Sequence, residues 1–114
     1  MKRILIAGIL GVAELCHGEI DEQRLANAIY KAEGGERARV PYGILSVPVH
    51  SEAEARRVCL RTIHHQIAKW EATGRQGDVF SWIGAAYCPA SSDPIGNKNW
   101  THNVSWLYFH SKVI

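Results

Sequence analysis

The sequence predicts a mainly α, single-domain protein, and three observations carry that reading. Apolar residues recur at helical period in Leu25, Ala28, Ile29 and Ala32. A longer apolar stripe, Ala55, Cys59, Ile63, Ile67 and Trp70, follows the start signal Ser51-Glu-Ala-Glu54. No repeat, low-complexity tract or interdomain linker interrupts the 114 residues, which is one domain's worth of chain. With 46% hydrophobic and 21% charged residues the composition is that of a globular protein and excludes disorder. A net charge of +2 lacks the strong basic patch of a nucleic-acid binder, so no nucleic-acid partner is expected.

Taken in order, the chain opens with Lys2-Arg3 and the apolar run Ile4 to Ala13, the pattern of an export signal. The run is too short to span a bilayer as a stable helix. Cleavage after Ala13 or after Gly18 fits. The later cut is preferred, so residues 1–18 are read as a signal peptide and 19–114 as the mature domain, periplasmic or secreted, with no membrane insertion after cleavage. A retained N-terminal strand is the competing account. Leu15 before Cys16 is a poor lipoprotein signal, and no lipid anchor is expected.

A first helix is expected at about residues 21 to 33. The stretch Gly34 to His50, with Gly34, Gly35, Pro41, Gly43 and Pro48, must be loop or short irregular structure, and Val40 to Val49 has room for a brief strand or hairpin. The capping box at Ser51 starts a helix running to about Thr73, stopped by Gly74. Asp78 is the N-cap of a helix carrying Phe80, Ile83, Gly84 and Tyr87 and ending before Pro89. A polar loop, Ala90 to Asn97, leads to a last segment with Trp100, Val104, Leu107 and Tyr108 on one face.

Glu33 stands out among the polar residues. It lies four residues after Ile29, near the buried face, where Gly34-Gly35 end the helix. A helix C-terminus disfavours a carboxylate and partial burial pushes the same way, so both raise the pKa expected there. That is how a glutamic acid is kept protonated to serve as a general acid. A solvated Glu at a helix end is the competing account.

The run Ala28-Ile-Tyr-Lys-Ala-Glu33-Gly-Gly, then Tyr42-Gly43-Ile44, then Gly84-Ala-Ala-Tyr87-Cys-Pro89 resembles the order of motifs in the lysozyme-like lytic transglycosylases, within the superfamily of soluble lytic murein transglycosylases and goose-type lysozymes. The resemblance is spread over roughly residues 20 to 108. The family's Glu-Ser is Glu33-Gly34 here, and the Asn that follows its Ala-Ala-Tyr tyrosine is Cys88. The resemblance implies a small lysozyme-like helical domain in which one catalytic acid, Glu33, cleaves the bond between N-acetylmuramic acid and N-acetylglucosamine. It implies substrate contacts from Tyr42, Gly43 and Ile44 on the cleft wall and from Tyr87, with peptidoglycan glycan strands as partner and no cofactor. Tyr87 as an edge-of-core aromatic and Tyr42 to Ile44 as ordinary loop packing are the competing accounts.

Glycoside cleavage ordinarily uses two carboxylates. The other candidates are Glu36, Asp78 and Asp93, of which Asp78 reads as a cap and Asp93 as a turn residue before Pro94. Amides and indoles alternate in Asn97-Lys-Asn99-Trp100-Thr-His-Asn103-Val-Ser-Trp106, and Trp beside Asn suits the polar rims and apolar faces of sugars. Asn99 is taken as a substrate-side amide and Trp100 as a core anchor. Asn99 and Asn103 also fall in glycosylation acceptor patterns.

Removal of Cys16 with the signal would leave Cys59 and Cys88 as an even pair in an oxidising compartment, and a bridge between them would contribute roughly 3 kcal/mol. Two separately buried thiols are the alternative. The adjacent pair His64-His65 points in two directions on a helix and no HExxH accompanies it, so no metal site is expected. The alternative to an enzyme is a non-catalytic exported helical domain that binds cell-wall glycan or a secretion-machine or phage-virion partner. A hydrolase with Cys88 as nucleophile is a third reading.

Overall fold

The structure is a computed structural model and describes residues 19–45 and 47–110. The expected signal peptide lies outside these residues. The described residues form four α-helices and two 3₁₀ turns, with no strand among them. None of the helices is long and apolar enough to cross a membrane.

Helix α1 spans Glu22–Ala32. Asp21 caps it by accepting the Arg24 amide at 3.0 Å, and its buried face is Leu25, Ala26, Ala28 and Ile29. Glu33 is the C-cap residue, at φ −91° and ψ 10°. Gly34 and Gly35 then take φ values of 111° and 60°, a left-handed reversal that side chains bearing a Cβ resist.

The expected strand or hairpin at Val40 to Val49 does not form. Two 3₁₀ turns, Gly35–Arg37 and Pro41–Gly43, take its place. Pro41 and Pro48 have no amide to give a ladder, and Tyr42 and Gly43 both adopt left-handed φ, 60° and 65°, which coils the chain instead of extending it.

Helix α2, Glu52–Ala72, starts where the capping box places it: Ser51 Oγ accepts the Glu54 amide at 3.0 Å. Glu54 reaches back to the His50 amide, at 2.6 Å. Its buried residues are the expected stripe, Ala55, Cys59, Ile63, Ile67 and Trp70. The Trp70 indole donates to the Gly77 carbonyl at 2.9 Å and ties the following turn to the helix.

Helix α3, Val79–Tyr87, is capped by Asp78, which accepts the Phe80 amide at 3.1 Å. Helix α4 spans Pro94–His110 and so begins inside the segment expected as loop. Asp93 accepts the Gly96 amide at 2.9 Å, and Pro94 sits in the first turn, where a missing N–H costs nothing.

The helices pack as two principal pairs, α1 on α4 and α2 on α3. The core runs through Leu25, Ile29, Ile63, Ile83 and Val104, all inaccessible to solvent. Tyr108 at the far end of α4 accepts the Asp21 amide at 2.9 Å, so α4 runs back along α1. Helices α3 and α4 approach closely at Gly84, where a Cβ would stand 2.6 Å from Thr101 Oγ1 and 3.4 Å from the Trp100 ring.

The expected Cys59–Cys88 bridge is not formed, and both thiols are free. Tyr87 is the α3 residue whose side chain neighbours Cys59. Successive helical residues point about 100° apart, so the turn that brings Tyr87 to Cys59 swings Cys88 aside. Cys88 is instead the half-buried C-cap of α3, its amide bonded to the Gly84 carbonyl at 2.7 Å.

Gly84→Ala is expected to lower stability by about 1–3 kcal/mol, because the added Cβ would force Thr101 Oγ1 and the Trp100 ring to shift. A urea titration reads this as a lower midpoint at unchanged slope.

Candidate active site

The end of α1, the turn Pro41–Gly43, the C-terminal half of α3 and the first half of α4 converge on Glu33. Its side chain is half-buried. The Trp100 indole N–H donates to Glu33 Oε2 at 2.8 Å across 67 residues of chain. No donor within the described residues reaches Oε1. Gly43 lies flat against the same carboxyl group: a Cβ there would be 2.5 Å from Glu33 Cδ, 2.6 Å from Oε1 and 2.8 Å from Oε2. A side chain at position 43 would therefore have to displace the Glu33 carboxyl group, and the φ of 65° disfavours one independently.

Tyr42 brings Gly43 to that position at a cost. It is a non-glycine residue at φ 60° and ψ 10°, a conformation that costs about 1–2 kcal/mol. Three contacts hold it there. Its ring is 3% exposed in the core, it packs on Tyr30 with ring centroids 5.1 Å apart, and its hydroxyl accepts from Arg56 Nη1 at 3.0 Å.

On the other side, Tyr87 stacks on Trp100 at 5.2 Å between centroids and 16° between planes. Tyr87 makes no hydrogen bond to Glu33; Trp100 does so in its place. The Tyr87 hydroxyl is buried against the Cys59 thiol, with no nitrogen or oxygen partner among the described residues. Burial, first, and the Cys59, Glu33 and Tyr42 side chains raise the Tyr87 pKa. Burial pushes the Cys59 thiol up to about 11, with the Glu33 charge adding to it and Tyr87 and Arg56 opposing.

Beside this cluster a groove of about 190 Å³ is lined by Gly43, Ile44, Leu45, Val58, Thr62, Ala86 and Tyr87. Ile44 is buried in its wall, whereas Leu45 is 84% exposed at its lip. The groove offers apolar surface and one threonine hydroxyl; Glu33 is not among its lining residues, and Gly43 is the residue that both lines it and lies against the Glu33 carboxyl group.

Of the residues singled out from the sequence, Glu33, Gly43 and Trp100 are therefore in direct contact, Tyr42 adjoins Gly43, and Ile44 and Tyr87 line the adjacent groove. Asn99 is exposed on α4 beside Trp100 and is not among the groove's lining residues. Two of the three alternative carboxylates are engaged elsewhere: Asp78 and Asp93 cap α3 and α4. Glu36 is exposed in the turn Gly35–Arg37. Among the described residues no three His, Cys, Asp or Glu side chains are grouped so as to hold a metal ion.

Two participants escape sequence reasoning. Trp100 reads as a core anchor because it shares a helical stripe with Val104 and Leu107, and nothing local ties position 100 to position 33. Arg56 sits beside the buried stripe of α2, and its partners are all distant in sequence.

Two outcomes follow from this geometry. Gly43→Ala is expected to push the Glu33 carboxyl group off the Trp100 indole. The check is a displaced Trp100 indole N–H resonance together with a lower melting temperature. The second concerns pH. The folded chain keeps the Cys59 proton up to about pH 11, whereas the unfolded thiol releases it near 9, so stability is lost as pH rises through that window. The raised Tyr87 hydroxyl acts in the same sense above its ordinary value of 10.0. Unfolding free energies are expected to fall by about 2 kcal/mol across the Cys59 window, and Cys59→Ala to flatten that part of the profile.

Searches against protein-family models, curated proteins and solved structures return no match to this chain.

Proposed function

We propose that this protein cleaves the glycan strands of peptidoglycan, with Glu33 as its single general acid and base. The observation that carries the proposal is the placement of Glu33: a half-buried carboxyl group at a helix end, held on one oxygen by the Trp100 indole and walled by Gly43, which also lines the neighbouring groove. The resemblance of the Glu33, Tyr42-Gly43-Ile44 and Ala-Ala-Tyr87 segments to lytic transglycosylases points to the same residue.

In this mechanism protonated Glu33 donates through the unbonded Oε1 to the glycosidic oxygen between N-acetylmuramic acid and N-acetylglucosamine, and the glycosidic bond breaks. The substrate's own acetamido oxygen stabilises the cation that develops at the anomeric carbon. Glu33, now a carboxylate, takes the proton of the C6 hydroxyl as that oxygen closes on the anomeric carbon. The acid is thereby restored and the product carries a 1,6-anhydro ring. The commitment of Asp78 and Asp93 to helix caps favours this single-acid route over a two-carboxylate one.

Trp100 fixes the rotamer of the acid, which is the part of catalysis that positioning supplies. The hexosamine's acetamido methyl and apolar face suit Ile44 and the exposed Leu45 side chain. Such a substrate lies outside the cytoplasm and requires export, consistent with reading residues 1–18 as a signal peptide.

The test is mass spectrometry of soluble products released from purified peptidoglycan by the wild type and by Glu33→Gln. Anhydro-muropeptides from the wild type are expected, with release reduced about 10²- to 10⁴-fold in the variant. Reducing-end products would mean a hydrolase. Absence of product with either protein would leave a glycan-binding domain without catalysis.

A further inference from the structure

We infer that Arg56 is a positioning residue for the acid: it holds the left-handed Tyr42–Gly43 turn against α1 and thereby sets where the Glu33 carboxyl group stands. Its guanidinium joins three elements at once. Nη1 donates to Asn27 Oδ1 at 2.9 Å and to the Tyr42 hydroxyl at 3.0 Å. Nη2 donates to Gln23 Oε1 at 2.8 Å and to the Gln23 carbonyl at 3.4 Å. Gln23 and Asn27 are one turn apart on α1, Arg56 is on α2, and Tyr42 belongs to the turn whose next residue lies against Glu33.

The partners are all neutral acceptors, so the group is not there to neutralise a carboxylate. A planar guanidinium with several fixed donors can reach all of them together; an ammonium group concentrates its donors at one point. Tyr42 would leave its left-handed conformation if released, since a bulky residue relaxes toward negative φ. Gly43 would move with it, and the wall that confines the Glu33 carboxyl group would open. The chain of contacts from Arg56 to Tyr42, Gly43, Glu33 and Trp100 is continuous, and among the described residues neither Arg56 nor Tyr42 hydrogen-bonds the acid. The catalytic consequence rests on the reading of Glu33 as the acid, whereas the positional one does not.

The test uses the full chain, ¹⁵N-labelled, as wild type, Arg56→Met, Arg56→Lys and Tyr42→Phe. The first readout is the Trp100 indole N–H resonance, assigned with Trp100→Phe, because it reports the bond to Glu33 whether or not the protein is an enzyme. The second is the rate of glycan release. Arg56→Met is expected to displace the resonance and to lower kcat about ten- to a hundredfold, with KM within about twofold. Arg56→Lys recovers part of both, and Tyr42→Phe, which keeps the buried ring, reproduces part of both. A resonance unmoved in Arg56→Met and Tyr42→Phe, with melting temperature alone lowered, would overturn the inference. Should Arg56→Met fail to fold, Tyr42→Phe and Arg56→Lys decide it by the same resonance. If the wild type releases no glycan product, the proposed activity fails and the resonance still decides the role of Arg56.

Discussion

The packing of α1 on α4 is tied by a polar contact at each end. At one end the Asp21 amide donates to Tyr108, and at the other the Trp100 indole donates to Glu33. Such bonds are stronger where neighbouring apolar groups lower the local dielectric, and they fix the lengthwise register of two helices that hydrophobic contact alone would leave free to slide. Because register is fixed at Glu33, the residues that follow it have a defined starting point. Gly34 and Gly35 reverse the chain there, and Pro41–Gly43 returns to the same carboxyl group from the other side.

Some departures from low-energy local structure lie near that point, although Arg75 also takes a left-handed φ, 62°, in the turn after α2. Tyr42 holds a left-handed backbone, the Tyr87 hydroxyl is buried with only the Cys59 thiol as neighbour, and the Thr101 hydroxyl oxygen is buried without a partner among the described residues. A buried unsatisfied hydroxyl costs about 1–3 kcal/mol. Thr101 follows Trp100 and faces Gly84, while Tyr87 lines the groove. A small domain tolerates few such costs, and the left-handed Tyr42 is the one that sets Gly43 against the Glu33 carboxyl group. The remaining helix ends show the opposite pattern. Ser51, Asp78 and Asp93 satisfy their caps with well-formed hydrogen bonds.

Legibility in the sequence followed the range of the interaction. The α2 stripe and its Ser51 cap, and the Asp78 cap of α3, were readable because helical periodicity and capping act over a few residues. The start of α4 lies earlier than local pattern indicates: Ser91-Ser-Asp-Pro looks like a turn, and Asp93 before Pro94 becomes a cap only once the following residues are helical. The absent hairpin has a similar reason, since a strand at Val40 to Val49 needs a partner that the fold does not provide. The Cys59–Cys88 pairing failed on side-chain direction, which counting cysteines does not address.

Local sequence sets the helical class, the approximate helix limits, the α2 buried face and the singular position of Glu33 at a helix end before two glycines. These depend on dihedral preferences, periodicity and local hydrogen bonds, all of which are written into neighbouring residues. Helix packing decides that Trp100 is the partner of Glu33, that Gly43 lies against the Glu33 carboxyl group, and that Arg56 reaches Tyr42 and α1 together. Those contacts join residues far apart along the chain, and whether they meet depends on how the helices pack rather than on any pattern within one segment.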